Sequence, residues 1–186
     1  MTTERLLEGN TRFRGQPAQK DLAKMRNETL NGQTPYAIVL TCSDSRVPPE
    51  HIFDAGIGEI FVIRNAGNVT DKVTLGSIEY AAEHLHTPLL VVMGHEKCGA
   101  VKAAWELQEG QHTEGNIADI VKRIEKSVKK MKKKGKDVED AASENVKNQM
   151  KTIMRKSTVC KKLVDEGKLK IVGAKYKLLD GSVEFF

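Results

Sequence analysis

Apolar residues in this chain follow two rhythms. Four short runs, Tyr36–Thr41, Ile60–Arg64, Leu89–Gly94 and Leu169–Gly173, are rich in Val, Ile and Leu and bounded by Gly, Pro or polar residues. Runs of that length without polar alternation predict strands covered on both faces. Between them the apolar residues recur at helical spacing. KVTLGSIEYAAEHLH aligns Leu75, Ile78, Ala82 and Leu85, and CGAVKAAWELQEG aligns Val101, Ala104 and Trp105, with a stop expected at Gly110. Ile117, Ile120, Val121, Ile124, Val128 and Met131 line one face of a further helix. A longer pattern from Val138 to Glu166, carrying Val146, Met150 and Ile153, predicts one continuous helix closing at Gly167. Leu6, Leu7 and Phe13 mark an amphipathic helix within an N-terminal helical arm over about residues 1–30, and SVEFF predicts a short edge strand at the other end.

Strands separated by helices predict an α/β fold, a mainly parallel β-sheet of about four to five strands flanked by helices. Sites in such folds gather beyond the carboxyl ends of the strands. A chain of 186 residues is long enough to bury a real core as a single domain over 1–186. No repeat or low-complexity linker divides it; residues 110–115 and 132–136 read as joints, not boundaries.

Charge adds one feature. Much of the net charge of +5 lies in KRIEKSVKKMKKKGK, Lys122 to Lys136, on the polar side of a helical pattern. With no interleaved aromatics to stack on bases, it reads as a solvated face, and no nucleic-acid partner is expected. No apolar run approaches the roughly 20 residues of a membrane span, and the N-terminus lacks the pattern of a signal peptide. A cytoplasmic protein without a membrane partner is expected. Three cysteines are too few, and odd in number, for a disulfide framework. Near histidines such cysteines read as metal ligands or catalytic groups.

Two reactive clusters follow strands directly. CSDSRVPPE (Cys42–Glu50) follows the first strand and GHEKCG (Gly94–Gly99) the third. If both strands run parallel, Cys42, His95 and Cys98 converge at one sheet edge. Two thiolates and an imidazole would form a zinc set with one open position, the pattern of a catalytic site. Spacing alone leaves open the alternative of a core histidine and inert thiols. Asp44 beside Arg46 would stay ionised. Ser43 and Ser45 lie in no nucleophile elbow and read as turn hydroxyls. Pro48 and Pro49 are expected to stop the strand. Cys160, in the last helical pattern, reads as a buried inert thiol.

Taken together, CSDSRV, RNAGN (Arg64–Asn68), SIEYAAEHL (Ser77–Leu85), GHEKCGAVKA (Gly94–Ala103) and the tail IVGAKYKLLDGSVEFF resemble, in order and spacing, the β-class carbonic anhydrases. The resemblance spans nearly the whole chain, apart from a variable segment around Lys122–Ala142. It implies a zinc enzyme that reversibly hydrates carbon dioxide to bicarbonate and a proton through a zinc-bound hydroxide. Cys42, His95 and Cys98 match the zinc ligands, one ion per chain, and Asp44 with Arg46 matches the catalytic pair. Gln33, nine residues before Cys42, falls at a substrate-binding position, and Phe61, Ala66, Tyr80 and Gly99 fall at pocket positions. By their pattern alone Phe61 and Tyr80 would be core residues. In the family Gln33, Phe61 and Tyr80 come from the neighbouring subunit, so the resemblance implies a homodimer or higher homo-oligomer with shared sites. Some bacterial members carry a tryptophan three residues before the first cysteine, part of an inhibitory bicarbonate site. This chain has Val39 there, so no such site is expected. The proton shuttle is not legible, with His51, His84 and His86 as candidates. Carbonyl sulfide or carbon disulfide hydrolysis on the same scaffold is the nearer alternative, and a non-enzymatic zinc or polyanion-binding protein the distant one.

Overall fold

Strand β1 (Ala37–Cys42) and strand β3 (Leu89–His95) are buried along their whole length, as their unbroken apolar runs require. The computed structural model describes residues 2–107 and 113–186. In it β1 pairs in parallel with β2 (Ile60–Asn65) and with β3. Strand β4 (Lys170–Tyr176) continues the parallel sheet beyond β3, and the short β5 (Val183–Phe185) closes it antiparallel. The order is β2-β1-β3-β4-β5. The expected fold class is therefore the observed one, with SVEFF as its edge strand.

Alternate residues along the strands divide the core between the two faces of the sheet. Val39, Leu89, Val91 and Met93 meet Leu6, Ile52 and Phe53 on one face. These last come from α1 (Thr2–Arg14) and the segment around the short α3 (Pro49–Ile52). Ile38, Leu40, Leu90 and Val92 meet Leu75, Ile78, Val146, Ile153 and Cys160 on the other. That layer is built from α4 (Lys72–Glu79), α7 (Val138–Lys156) and α8 (Thr158–Asp165). A third cluster joins Cys42 and Cys98 to α5 (Gly99–Glu106), α6 (Ile117–Lys133) and α7. It lies at the carboxyl ends of β1 and β3. Gly94 lets α7 come this close, since a Cβ there would stand 2.8 Å from Val146 Cγ2.

Two helical expectations change. The pattern from Val138 to Glu166 is two helices, because Ser157 takes an extended conformation (φ −102°, ψ 106°) between them. Its hydroxyl accepts from the Cys160 amide and donates to Glu79, so it caps α8. The segment KVTLGSIEYAAEHLH begins as α4 but continues as a π-helical turn over Tyr80–His84. Helix α5 ends at Glu106, and the stop expected at Gly110 lies outside the described residues. Pro49 opens α3 at a position where its missing N–H is no loss.

The N-terminal arm consists of α1 and α2 (Leu22–Glu28). Buried Asp54 ties it down by pairing with Arg12 and Lys20 and accepting the Ala18 amide. The lysine face of α6 is laced with acids: Lys129 pairs with Glu125 and Lys130 with Glu144, and in the turn beyond it Lys136 pairs with Asp140. Among the described residues, no helix is long and apolar enough to cross a membrane.

Candidate metal centre

Cys42 ends β1, His95 ends β3, and Cys98 caps the start of α5. Because β1 and β3 are parallel neighbours, their last residues reach the same edge of the sheet. The ligand-capable atoms of the three side chains all lie within 4.8 Å of one another, and all three residues are buried. The cysteines are free.

His95 presents one defined face to this cluster. Its Nδ1 lies 2.8 Å from the carbonyl oxygen of Glu96. A carbonyl can only accept, so Nδ1 carries the proton and Nε2 holds a lone pair. Nε2 is buried with no hydrogen-bond partner. An orphaned buried acceptor beside two thiols is costly in a core that nothing else visits, and it is the donor set that zinc takes. The residues present therefore fit a zinc ion.

The sulfurs are prepared unequally. A hydrogen bond from Cys98, helped by the backbone amides of Gly67 and Asp44, holds the Cys42 thiol well below its ordinary range, against the opposing effect of burial. The bond to Cys42, together with burial, pushes Cys98 up. The pair thus shares one proton, and both thiols must become thiolates to ligate a cation.

Asp44 follows Cys42 by two residues and is locked in place. Arg46 donates from Nε to Oδ1 at 2.9 Å, from Nη2 to Oδ2 at 2.7 Å, and from its backbone amide to Oδ1 at 3.0 Å. Arg46 thereby holds the Asp44 carboxyl far below the usual carboxylate range, against the opposing effect of burial. Oδ1 accepts twice and is saturated, whereas Oδ2 accepts once and keeps a free lone pair. That oxygen stands 3.9 Å from His95 Nε2.

Chain-wide comparisons place this geometry. A profile described as carbonic anhydrase matches residues 37–183. The chain belongs to the β-class carbonic anhydrases. It is 42% identical over 183 residues to a carbonic anhydrase of Mycolicibacterium smegmatis, covering 96% of this chain and 89% of that one. The solved β-carbonic anhydrase CcaA superposes with a TM-score of 0.81 at 28% identity, over 99% of this chain and 87% of that one. A tetrameric β-carbonic anhydrase of Sordaria macrospora gives 0.78 at 25% identity, over 100% and 96%.

The other expected site residues divide in two. Ala66 opens the turn after β2, and Gly99 begins α5 beside Cys98. Gln33 is exposed before β1, and Phe61 pairs with Ile38 while Asn65 pairs with Cys42. Phe61 thus lies about 13 Å back along the strand from the sulfur. Tyr80 accompanies Phe61, with ring centroids 6.2 Å apart, and is 48% exposed. Gln33, Phe61 and Tyr80 therefore do not join Cys42 within one chain. His51, His84 and His86 are all exposed, and the His84 ring lies 5.6 Å from that of Tyr80.

Sequence reasoning missed two supports of the site. Arg64, inside the quoted RNAGN, donates to the carbonyls of Cys42 and Asp44 at 3.1 and 2.7 Å and holds the CSDSR loop against β2. Glu139 of α7 accepts the Lys97 amide at 2.8 Å, fixing the turn between His95 and Cys98, where Lys97 has φ 52°. Arg64 was visible as a cation at the end of a strand. Nothing local pointed to Glu139, 42 residues from its partner.

Proposed function

We propose that this chain reversibly hydrates carbon dioxide to bicarbonate and a proton, with one zinc ion held by Cys42, His95 and Cys98. The observation behind this reading is the buried, unpartnered Nε2 of His95 among two cysteine sulfurs, with the ionised Asp44 beside it. Zinc held there supplies the Lewis acidity that makes water nucleophilic near neutral pH. Asp44, kept ionised by Arg46, accepts a hydrogen bond at Oδ2 from the attacking oxygen and aims its lone pair at the substrate carbon. Ala66 and Gly99 leave room for a small linear substrate; a Cβ at Gly99 would meet nothing within 4 Å. Three free buried thiols suit the reducing cytoplasm.

The pocket is completed by Gln33, Phe61 and Tyr80 of a second copy in a homodimer. The β2 edge supports this reading. Among the described residues no strand lies on its outer side, its apolar residues are only half-buried, and Tyr80, Ile57 and Val73 nearby are exposed. Such an edge invites cover. Phe61→Arg would bury an unpaired charge there, costing about 3–5 kcal/mol. Sedimentation velocity should show the dimer dissociating roughly 10²–10⁴-fold more readily, with hydration activity falling in parallel. A monomeric variant with full activity would show that the pocket is not shared.

Stopped-flow carbon dioxide hydration, with zinc measured on the same sample, tests the whole reading. About one zinc per chain is expected, with turnover lost on chelation and restored by zinc. Zinc-loaded protein inert toward carbon dioxide would overturn it, and turnover of carbonyl sulfide in its place would redirect it to that substrate.

A further inference from the structure

Two amide side chains, Asn145 and Gln149, lie one helical turn apart on α7, 0% and 2% exposed. Burying amides in an apolar layer is unfavourable unless their hydrogen bonds are made. Here they are made in a single line. Asn145 Nδ2 donates to the Gly67 carbonyl at 2.9 Å, and Gln149 Nε2 donates to Asn145 Oδ1 at 3.0 Å. Gln149 Oε1 accepts the Thr70 amide at 3.0 Å and its hydroxyl at 2.8 Å. Arg123 of α6 completes the line by donating to the Thr70 carbonyl at 2.9 Å.

All but the Gln149–Asn145 bond end on the turn 66–70 that follows β2, and Gly67 connects that turn to the metal centre. Its N–H donates to the Cys42 sulfur at 3.4 Å. Gly67 has φ 75°, and a Cβ there would come within 2.7 Å of Ile124 and 3.1 Å of Ala100. The backbone is thus in a conformation that favours glycine, with its carbonyl gripped by α7 and its amide aimed at a sulfur. Leucine and methionine would fill the space of the two amides equally well. Only an amide at 145 can hold the 67–68 peptide by its carbonyl, and through Gly67 that grip reaches the neighbouring N–H on the sulfur.

We propose that Asn145 and Gln149 are positioning residues for the metal centre, acting through Gly67 to keep a hydrogen bond on the Cys42 sulfur. The inference rests on the reading of Cys42 as a zinc ligand. A hydrogen bond to a thiolate favours the ionised form that a metal requires and draws some charge toward the amide, so its loss weakens binding; partners of this kind typically set metal affinity over about 10–100-fold.

The test uses zinc- and cobalt-loaded full-length protein, wild type against Asn145→Leu and Gln149→Met. Zinc affinity, measured by competition with a chelator, should fall about 10–100-fold in Asn145→Leu and less in Gln149→Met. The sulfur-to-cobalt charge-transfer band should move to longer wavelength, since an unbonded thiolate gives up charge more readily. A purely structural role would lower stability with and without metal alike and leave that band unmoved. Folded variants with wild-type affinity and an unmoved band would overturn the proposal. Should neither variant fold, amide exchange of Gly67 in the wild-type holoprotein decides: protection is expected, and exchange at the unprotected rate overturns the proposal. Wild-type protein that holds no zinc at all would instead refute the metal-site reading and take this inference with it.

Discussion

Asp44→Ala protein is expected to keep its zinc and lose carbon dioxide hydration by roughly 10²–10³-fold, the usual cost of removing one preorganised polar contact. The fold should tolerate the change. The hydrogen bonds to the Asp44 carboxylate all come from Arg46, and the Arg46 it abandons is about half exposed, with a side-chain relative accessibility of 51%. A guanidinium that can turn to water carries little penalty, because ion pairs at such positions contribute about 0–1 kcal/mol. The loss should therefore appear in turnover while thermal stability and metal content stay near wild type. Stopped-flow hydration and metal analysis on one preparation make the check. A zinc-replete Asp44→Ala enzyme with full activity would remove Asp44 from the reaction.

Cys42→Ser is expected to fail earlier, at metal binding. Serine matches the shape of cysteine, but its hydroxyl does not ionise near neutral pH, so the site would lose one of its two anionic donors. Cys42 is 5% exposed, and Gly67 donates to its sulfur, so no mobile neighbour stands ready to replace it. Zinc should fall from about one per chain to near zero. Metal bound at 1,000 times its Kd stabilises the folded state by about 4 kcal/mol, and a chain of this size shifts by about 2–4 °C per kcal/mol. A drop in Tm on the order of 10 °C follows. Chelator should lower wild-type Tm by a similar amount and leave the variant unmoved. One tightly held zinc per chain in Cys42→Ser would refute the ligand assignment.

These two predictions were largely legible in the order of residues. CSDSR and GHEKC each follow an apolar run, and a parallel sheet brings such ends to one edge. The helix split at Ser157 was not legible, because a serine inside an apolar-periodic stretch breaks no pattern until Glu79 and the Cys160 amide engage its hydroxyl. The π-helical turn at Tyr80 was hidden for the same reason: it moves residues around the helix without changing their order. Arg64 could be suspected, being a charge at a strand end. Glu139, Asn145 and Gln149 could not, since each acts on a turn far from it in sequence.

By itself the sequence determined the sheet, through the unbroken apolar runs of β1 and β3, and it determined which chemical groups stand at their ends. It also carried the family, because the spacing within CSDSR and HEKC is local and survives unfolding. Tertiary structure alone decided how those groups are held. The approach of Asp44 Oδ2 to the bare Nε2 of His95, the Gly67 amide on the Cys42 sulfur and the separation of Phe61 from that sulfur are relations between distant segments. Their directions are set by packing, and a linear order of residues holds no directions in space.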